Sequence, residues 1–166
     1  AHQPAGRISD IATMRTDTHH AKTVVHMHYT LYPSLRGRTV FISGGSSGIG
    51  AELVRAFSAQ GSRVAFCGTR PDGGDALLAE LKATDDAAHL RYEACDVRDI
   101  AALQALLDRV ADQWGPIQVL VNNAGRDDRH ALDELTPEYW DNCLAINLRH
   151  QVFATQSVAL QLRTAP

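Results

Sequence analysis

Thr39-Val40-Phe41-Ile42-Ser43-Gly44-Gly45-Ser46-Ser47-Gly48-Ile49-Gly50 passes from β-branched and aromatic residues straight into a glycine-rich segment. The first five residues suit a strand covered on both faces, as the strands of a parallel sheet are. Ile49, Leu53, Val54 and Phe57 then recur at helical spacing, Gln60-Gly61 supplies an exit, and Val64-Ala65-Phe66-Cys67 opens a second strand. Within this β-α-β unit each glycine has its own task. Gly44 makes the tight turn, Gly48 lets the backbone approach a phosphate-bearing cofactor, and Gly50 lets the helix pack closely. The outward N–H groups at the helix start favour an anion. A bare glycine-rich turn is the competing reading, and the place of the segment in a repeated β-α-β pattern weighs against it. Nothing matches GxxxxGK[ST], so a nucleotide triphosphatase is not supported.

The alternation continues downstream. A helix over 73–84 carries Leu77, Leu78 and Leu81, and a strand follows at 90–95. A helix over 99–113 presents Leu103, Leu106, Leu107 and Val110 and is stopped by Gly115-Pro116, and Ile117–Val121 forms the fourth strand. Thr136-Pro137-Glu138 reads as a capped start for one helix or a broken pair reaching about residue 162. The expected fold is α/β, a doubly wound parallel sheet of the dinucleotide-binding type with strand order 3-2-1-4. Residues 36–166 make up this domain and residues 1–35 an arm or surface wrap without sustained period. In the arm, Tyr29, Leu31 and Tyr32 are candidate anchors onto the folded body.

Composition narrows the function classes. In 166 residues, 16 Lys and Arg against 19 Asp and Glu give a formal charge of -3, so there is no basic field for a nucleic-acid backbone or an anionic membrane. No apolar run is long enough to span a bilayer, and no signal-peptide core opens the chain, which points to the cytoplasm. Cys67, Cys95 and Cys143 are widely spaced and odd in number, which argues for reduced, mostly buried thiols rather than a disulfide scaffold or a zinc site. His2, His19, His20, His26 and His28 are scattered unevenly and define no coordination sphere, so no metal is expected.

Three further places carry chemistry. The second strand ends in Cys67-Gly68-Thr69-Arg70, where a site selective for an unphosphorylated ribose places Asp or Glu. Arg70 can pair with a ribose phosphate and Thr69 can donate a hydrogen bond, so the chemistry leans toward NADP with NAD possible. The alternative is a solvated Arg70 with Asp72 near enough to change the preference. Asp96 and Asn122-Asn123-Ala124-Gly125 follow the third and fourth strands, at the carboxyl edge where such sheets bind ligands. The Asp96 carboxylate can accept from an adenine amino group or cap a turn. The asparagine amides can join neighbouring chains, and Gly125 lets the backbone pass beneath a nicotinamide ribose.

Residues 39–150 resemble the short-chain dehydrogenase/reductase family through Ser43-Gly44-Gly45-Ser46-Ser47-Gly48-Ile49-Gly50, Asp96-Val97, Asn122-Asn123-Ala124-Gly125 and Asn147. Ser43 stands where the family usually has Thr and keeps the hydroxyl. A narrower resemblance to bacterial aldose 1-dehydrogenases, including xylose dehydrogenases, lies in His28–Leu35, Asn122–His130 and Asn147-Leu148-Arg149-His150. The family likeness implies cofactor contacts at Ser43, Gly44, Ser46, Ser47, Gly48, Ile49, Gly50, Asp96, Val97, Asn123, Ala124 and Gly125, while Thr69 and Arg70 enter by their own chemistry and depart from the acidic residue that xylose-oxidising members carry there. It also implies hydride exchange on a small sugar or related alcohol or carbonyl, with Asn147 serving a water-mediated proton route. The Ser and Tyr-x-x-x-Lys that the resemblance also implies do not occur. Tyr29, Tyr32, Tyr92 and Tyr139 are followed four positions later by Pro33, Arg36, Asp96 and Cys143. We therefore expect this chain to be part of a longer enzyme, inactive alone and joining a homo-oligomer when complete. An unpaired outer strand and the apolar residues Leu144, Val152, Phe153 and Val158 favour such association. A catalytically inactive dinucleotide-binding or interaction module is the alternative, and a nonbinding remnant a third. Arg126-Asp127-Asp128-Arg129-His130 either faces a substrate or forms a solvated loop, and polarity alone does not make His130 a base.

Overall fold

The computed structural model describes residues 30–83 and 89–165. Four strands form one parallel sheet: β1 (Thr39–Ser43), β2 (Arg63–Gly68), β3 (Leu90–Ala94) and β4 (Val119–Asn122). Their order is β3-β2-β1-β4, the order expected from the sequence. The register pairs Ser43 with both Cys67 and Asn122, so the carboxyl ends of the central strands finish side by side. This shared edge positions the site.

The β-run period of two sends successive side chains to opposite faces. Val40 and Ile42 join a core with Val54, Val64, Phe66 and Leu77 under α1 (Gly48–Ala59) and α2 (Pro71–Lys82). Phe41 and Ala65 point the other way, into a core with Leu103, Leu106, Leu107 and Val110 of α3 (Ile100–Trp114) and Ala154 and Val158 of α5 (His150–Thr164). Helix α3 is capped by the Asp99 side chain, which accepts from Ala102 N at 3.0 Å. It ends at Gly115, whose φ of 84° lies in the left-handed region.

Several sequence expectations shift. Helix α2 starts at Pro71, because proline's fixed φ and missing N–H suit the first turn. Strand β4 starts at Val119, while the fully buried Ile117 serves as a core plug ahead of it. Ile49, expected on the inner face of α1, is 77% exposed, since the inward positions of that first turn belong to Gly50 and Ala51. The C-terminal helix is α4 (Pro137–Leu144), a π-helical turn at Ala145–Arg149, and α5, in unbroken succession. Its expected apolar face splits: Val158 is buried, Phe153 is partly buried, and Leu144 and Val152 point outward.

Tyr29 and the five arm histidines lie outside the described residues. Leu31 and Tyr32 do not anchor by burial, being 72% and 57% exposed. The backbone does that work through Gln60, whose Oε1 accepts from Tyr32 N at 2.7 Å and whose Nε2 donates to Thr30 O at 2.9 Å. The three cysteines are free, Cys67 and Cys95 buried and Cys143 partly so. No helix among the described residues is long and apolar enough to cross a membrane.

Candidate cofactor site

The turn between β1 and α1 is fixed by polar stitching to β4. Ser43 is buried, and its hydroxyl accepts from Asn123 N and Ala124 N, both at 3.1 Å. The Asn123 Nδ2 group donates to Ser43 O and Gly44 O at 3.1 Å each. Gly44 takes φ 69°, and a Cβ there would sit 2.9 Å from Ala124 Cα. A Cβ on Gly50 would overlap the Gly44 carbonyl, so α1 packs on its own entry turn as only glycine allows. Gly48 has φ 55° and open space around its missing side chain, leaving the first N–H groups of α1 uncovered.

Above this turn lies a cleft of about 880 Å³ lined by Gly44, Ser46, Ser47, Ile49 and Gly50 at one end and by Gly68, Thr69, Arg70, Asp96, Val97 and Arg98 at the other. Asn123, Ala124, Gly125 and Arg126 line it beside β4. Of the candidate site residues from sequence, Ser43, Gly48 and Asn147 do not line the cleft: Ser43 is turned beneath it, Gly48 borders a smaller cavity against α2, and Asn147 bonds to Arg126 behind it. The exposed Ile49 offers an apolar surface inside it.

At the β2 end, a Cβ on Gly68 would overlap Ser46 Oγ, so a side chain there requires the Ser46 side chain to give way. Arg70 Nη2 donates to Ser47 Oγ at 3.3 Å and has no carboxylate partner among the described residues. Sequence reading missed Tyr92. Its hydroxyl lies 2.8 Å from Arg70 O and 3.2 Å from Gly68 O, and its ring covers Gly74 and tilts against Phe66. Burial pushes the phenol pKa up, assisted by Asp75, so it remains a donor clasping the loop. The alternation along β3 was a usable signal, since Tyr92 shares a face with Leu90 and Ala94.

Asn147 closes the β4 side. Its Oδ1 accepts from Arg126 N at 2.7 Å, its Nδ2 donates to Arg126 O at 3.0 Å and to Cys143 Sγ at 3.3 Å, and its own carbonyl accepts from Gln151 Nε2 at 2.8 Å. The wide π turn holds Asn147, and His150 follows at its end. His150 is fully buried with Nε2 3.1 Å from Ala124 O. Burial pushes its pKa down against the opposing carbonyls of Ala124 and Ile146, so the ring is neutral and holds the Ala124-Gly125 segment as a donor. The charged loop beyond is exposed. Arg126 pairs with Asp128, Arg129 faces Asp127 at 3.9 Å, and His130 packs on Tyr139, whose hydroxyl donates to Asp128 O at 2.9 Å.

A family profile described as short chain dehydrogenase matches residues 38–165. The chain belongs to the short-chain dehydrogenase family. Within that family it is 46% identical over 129 residues to a Rhizobium meliloti (strain 1021) protein named "Probable galactose dehydrogenase GalD", a match covering 77% of this chain and 50% of that one. It is 43% identical over 133 residues to the D-xylose 1-dehydrogenase of Caulobacter vibrioides, covering 80% and 51%. Among solved structures, a blue fluorescent protein from a metagenomic library in complex with NADPH aligns with TM-score 0.71 and 32% identity over 80% of this chain and 53% of that one. The chain thus spans about half the length of the curated relatives it matches. The shared part is the Rossmann-type half of a nucleotide-binding oxidoreductase fold.

Proposed function

We propose that this chain is the dinucleotide-holding part of an oxidoreductase that transfers hydride between a nicotinamide cofactor and a small sugar or related alcohol or carbonyl, with NADP preferred and NAD possible. The observation that carries the reading is the glycine turn: Gly44 and Gly50 are closed by the fold, while Ser46, Ser47 and Ile49 at the start of α1 line the cleft. Ser46, Ser47 and Ile49 hold the bridging phosphates and their surroundings, Thr69 and Arg70 the adenine ribose, Asp96 and Val97 the base, and Asn123, Ala124 and Gly125 the nicotinamide side. The bound nicotinamide supplies the hydride chemistry. Support for sugars comes from the relatives named for galactose and xylose.

The preference for NADP rests on crowding at Gly68 and on Arg70, free of any carboxylate among the described residues. Residues 36–166 act as the binding domain, cytoplasmic, with residues 1–35 as an arm. The exposed Leu144, Leu148 and Val152 support association with further copies. Because no tyrosine here is followed by Lys four positions on, the 166 residues bind without turning over, and Asn147 is the member of the proton route they contain. Titration of NADPH and NADH against nicotinamide fluorescence tests this. NADPH is expected to bind at least about tenfold more tightly, a gap of roughly 1.4 kcal/mol that Arg70→Ala removes. Equal affinities in both proteins would refute the NADP preference, and flat titrations would refute the binding reading.

A further inference from the structure

The loop that leaves β2 is held from two sides. On the cleft side, Arg70 Nη2 donates to Ser47 Oγ at 3.3 Å. Behind the cleft, and not lining it, the Tyr92 hydroxyl lies 2.8 Å from Arg70 O and 3.2 Å from Gly68 O. A phenol has one proton to donate, so the shorter contact, to Arg70 O, is the principal one. The ring that carries this hydroxyl is itself fixed. Tyr92 is half-buried on β3, in register with Phe66 of β2, and the two ring centroids stand 5.2 Å apart. A Cβ on Gly74 would fall 2.2 Å from the Tyr92 ring, so α2 lies directly against it.

Arg70 stands where the backbone passes from the loop into α2. Pro71 follows it and restricts it to extended backbone, observed as φ -106° and ψ 108°, and the Arg70 side chain makes no capping bond to the helix. That side chain is left to reach over the cleft, and the Tyr92 hydroxyl fixes the point from which it starts. The strength of a guanidinium–phosphate pair depends on geometry as well as charge. We propose that Tyr92 is a positioning residue for the choice of nucleotide: its hydroxyl holds the Arg70 backbone where the guanidinium meets the ribose phosphate of NADP, without itself touching the nucleotide. The proposal rests on the NADP reading above and extends it to a residue behind the cleft. NADH lacks that phosphate and gains nothing from where the guanidinium stands, so losing the hydroxyl costs NADPH alone. A general packing defect would disturb both nucleotides, because the first turn of α2 abuts the glycine turn: a Cβ on Gly73 would sit 3.2 Å from Ser46 O.

Tyr92→Phe keeps the ring and removes the hydroxyl. Fluorescence titrations of NADPH and NADH against the wild-type chain, Tyr92→Phe, Arg70→Ala and the double variant test the proposal, with far-UV circular dichroism checking the fold of each. Tyr92→Phe is expected to weaken NADPH about fivefold and to leave NADH within about twofold. In the Arg70→Ala background the same substitution moves neither nucleotide by more than about twofold, because the group being positioned is gone. Equal weakening of NADPH and NADH, an NADPH loss of the same size with and without Arg70, or an unchanged preference in Tyr92→Phe would each overturn the proposal. In those three cases a wild-type preference that Arg70→Ala removes leaves the NADP reading standing. Equal wild-type affinities for the two nucleotides, or flat titrations, would overturn both.

Discussion

Strands β1 and β2 are buried at every position except the half-buried Arg63, whereas every residue of β4 is only half-buried. The same contrast separates the helices. Val54 of α1 and Leu103, Leu106, Leu107 and Val110 of α3 are sealed, but Leu144, Leu148 and Val152 along the C-terminal helix face outward. In the first region apolar burial fixes the backbone from which the glycine turn leaves. In the second, individual polar clasps such as Asn147 on Arg126 and His150 on Ala124 hold the chain near the site. The cleft sits on the seam, with its glycine-turn end built on the sealed region and its β4 end on the clasped one.

Truncation at the two regions gives the largest separation. Phe41→Ala removes a fully buried ring from the core beneath α3 and is expected to destabilise the chain by about 3–5 kcal/mol, whereas Leu148→Ala, at an exposed position, stays within about 0.5 kcal/mol. Urea unfolding of both variants checks this, and comparable losses would erase the distinction. Next in size is Asn147→Ala, which strips the Arg126 N–H and carbonyl of their partner. Amide exchange across residues 125–131 should quicken by an amount equivalent to about 1–3 kcal/mol while β1 and β2 amides keep their protection. Uniform quickening across the sheet would show that the clasp belongs to the global core.

The smallest effect concerns pH. His150 has its folded pKa depressed by burial, so the unfolded chain binds the proton more readily. Its contribution is complete above the ordinary value of 6.5 and declines as pH falls from there toward the depressed folded value, with a slope of at most about 1.4 kcal/mol per pH unit. Asp96, Glu80 and Glu93 have lowered pKa values and act in a separate, more acidic window. In His150→Gln the decline just below pH 6.5 should flatten, whatever the overall stability of the variant. An unchanged slope would assign that pH dependence to other groups.

Legibility in the sequence followed the same seam. The run Thr39–Ser43 and the leucines of α3 declared themselves because strands and helices covered on their inner faces must be apolar there, and strand order followed from the β-α repetition. Gly44 and Gly50 were readable for the same reason: a Cβ at either meets backbone. What escaped was set by tertiary polar geometry. Tyr92 and Arg98 carry no motif. The former acts through carbonyls on a neighbouring strand, the latter through an acid two positions earlier and an asparagine on α4. The π turn was hidden because a one-residue widening changes hydrogen bonding without changing composition.

The central claim is that the open N–H groups at the start of α1 receive the phosphates of a dinucleotide. Amide chemical shifts followed by two-dimensional NMR during NADPH titration test it most directly. The account predicts saturable shifts concentrated at Ser46, Ser47, Gly48 and Ile49, abolished in Gly50→Val while the β1 and β2 resonances persist. Saturation with shifts confined elsewhere, or no shifts at all at millimolar NADPH, would contradict it.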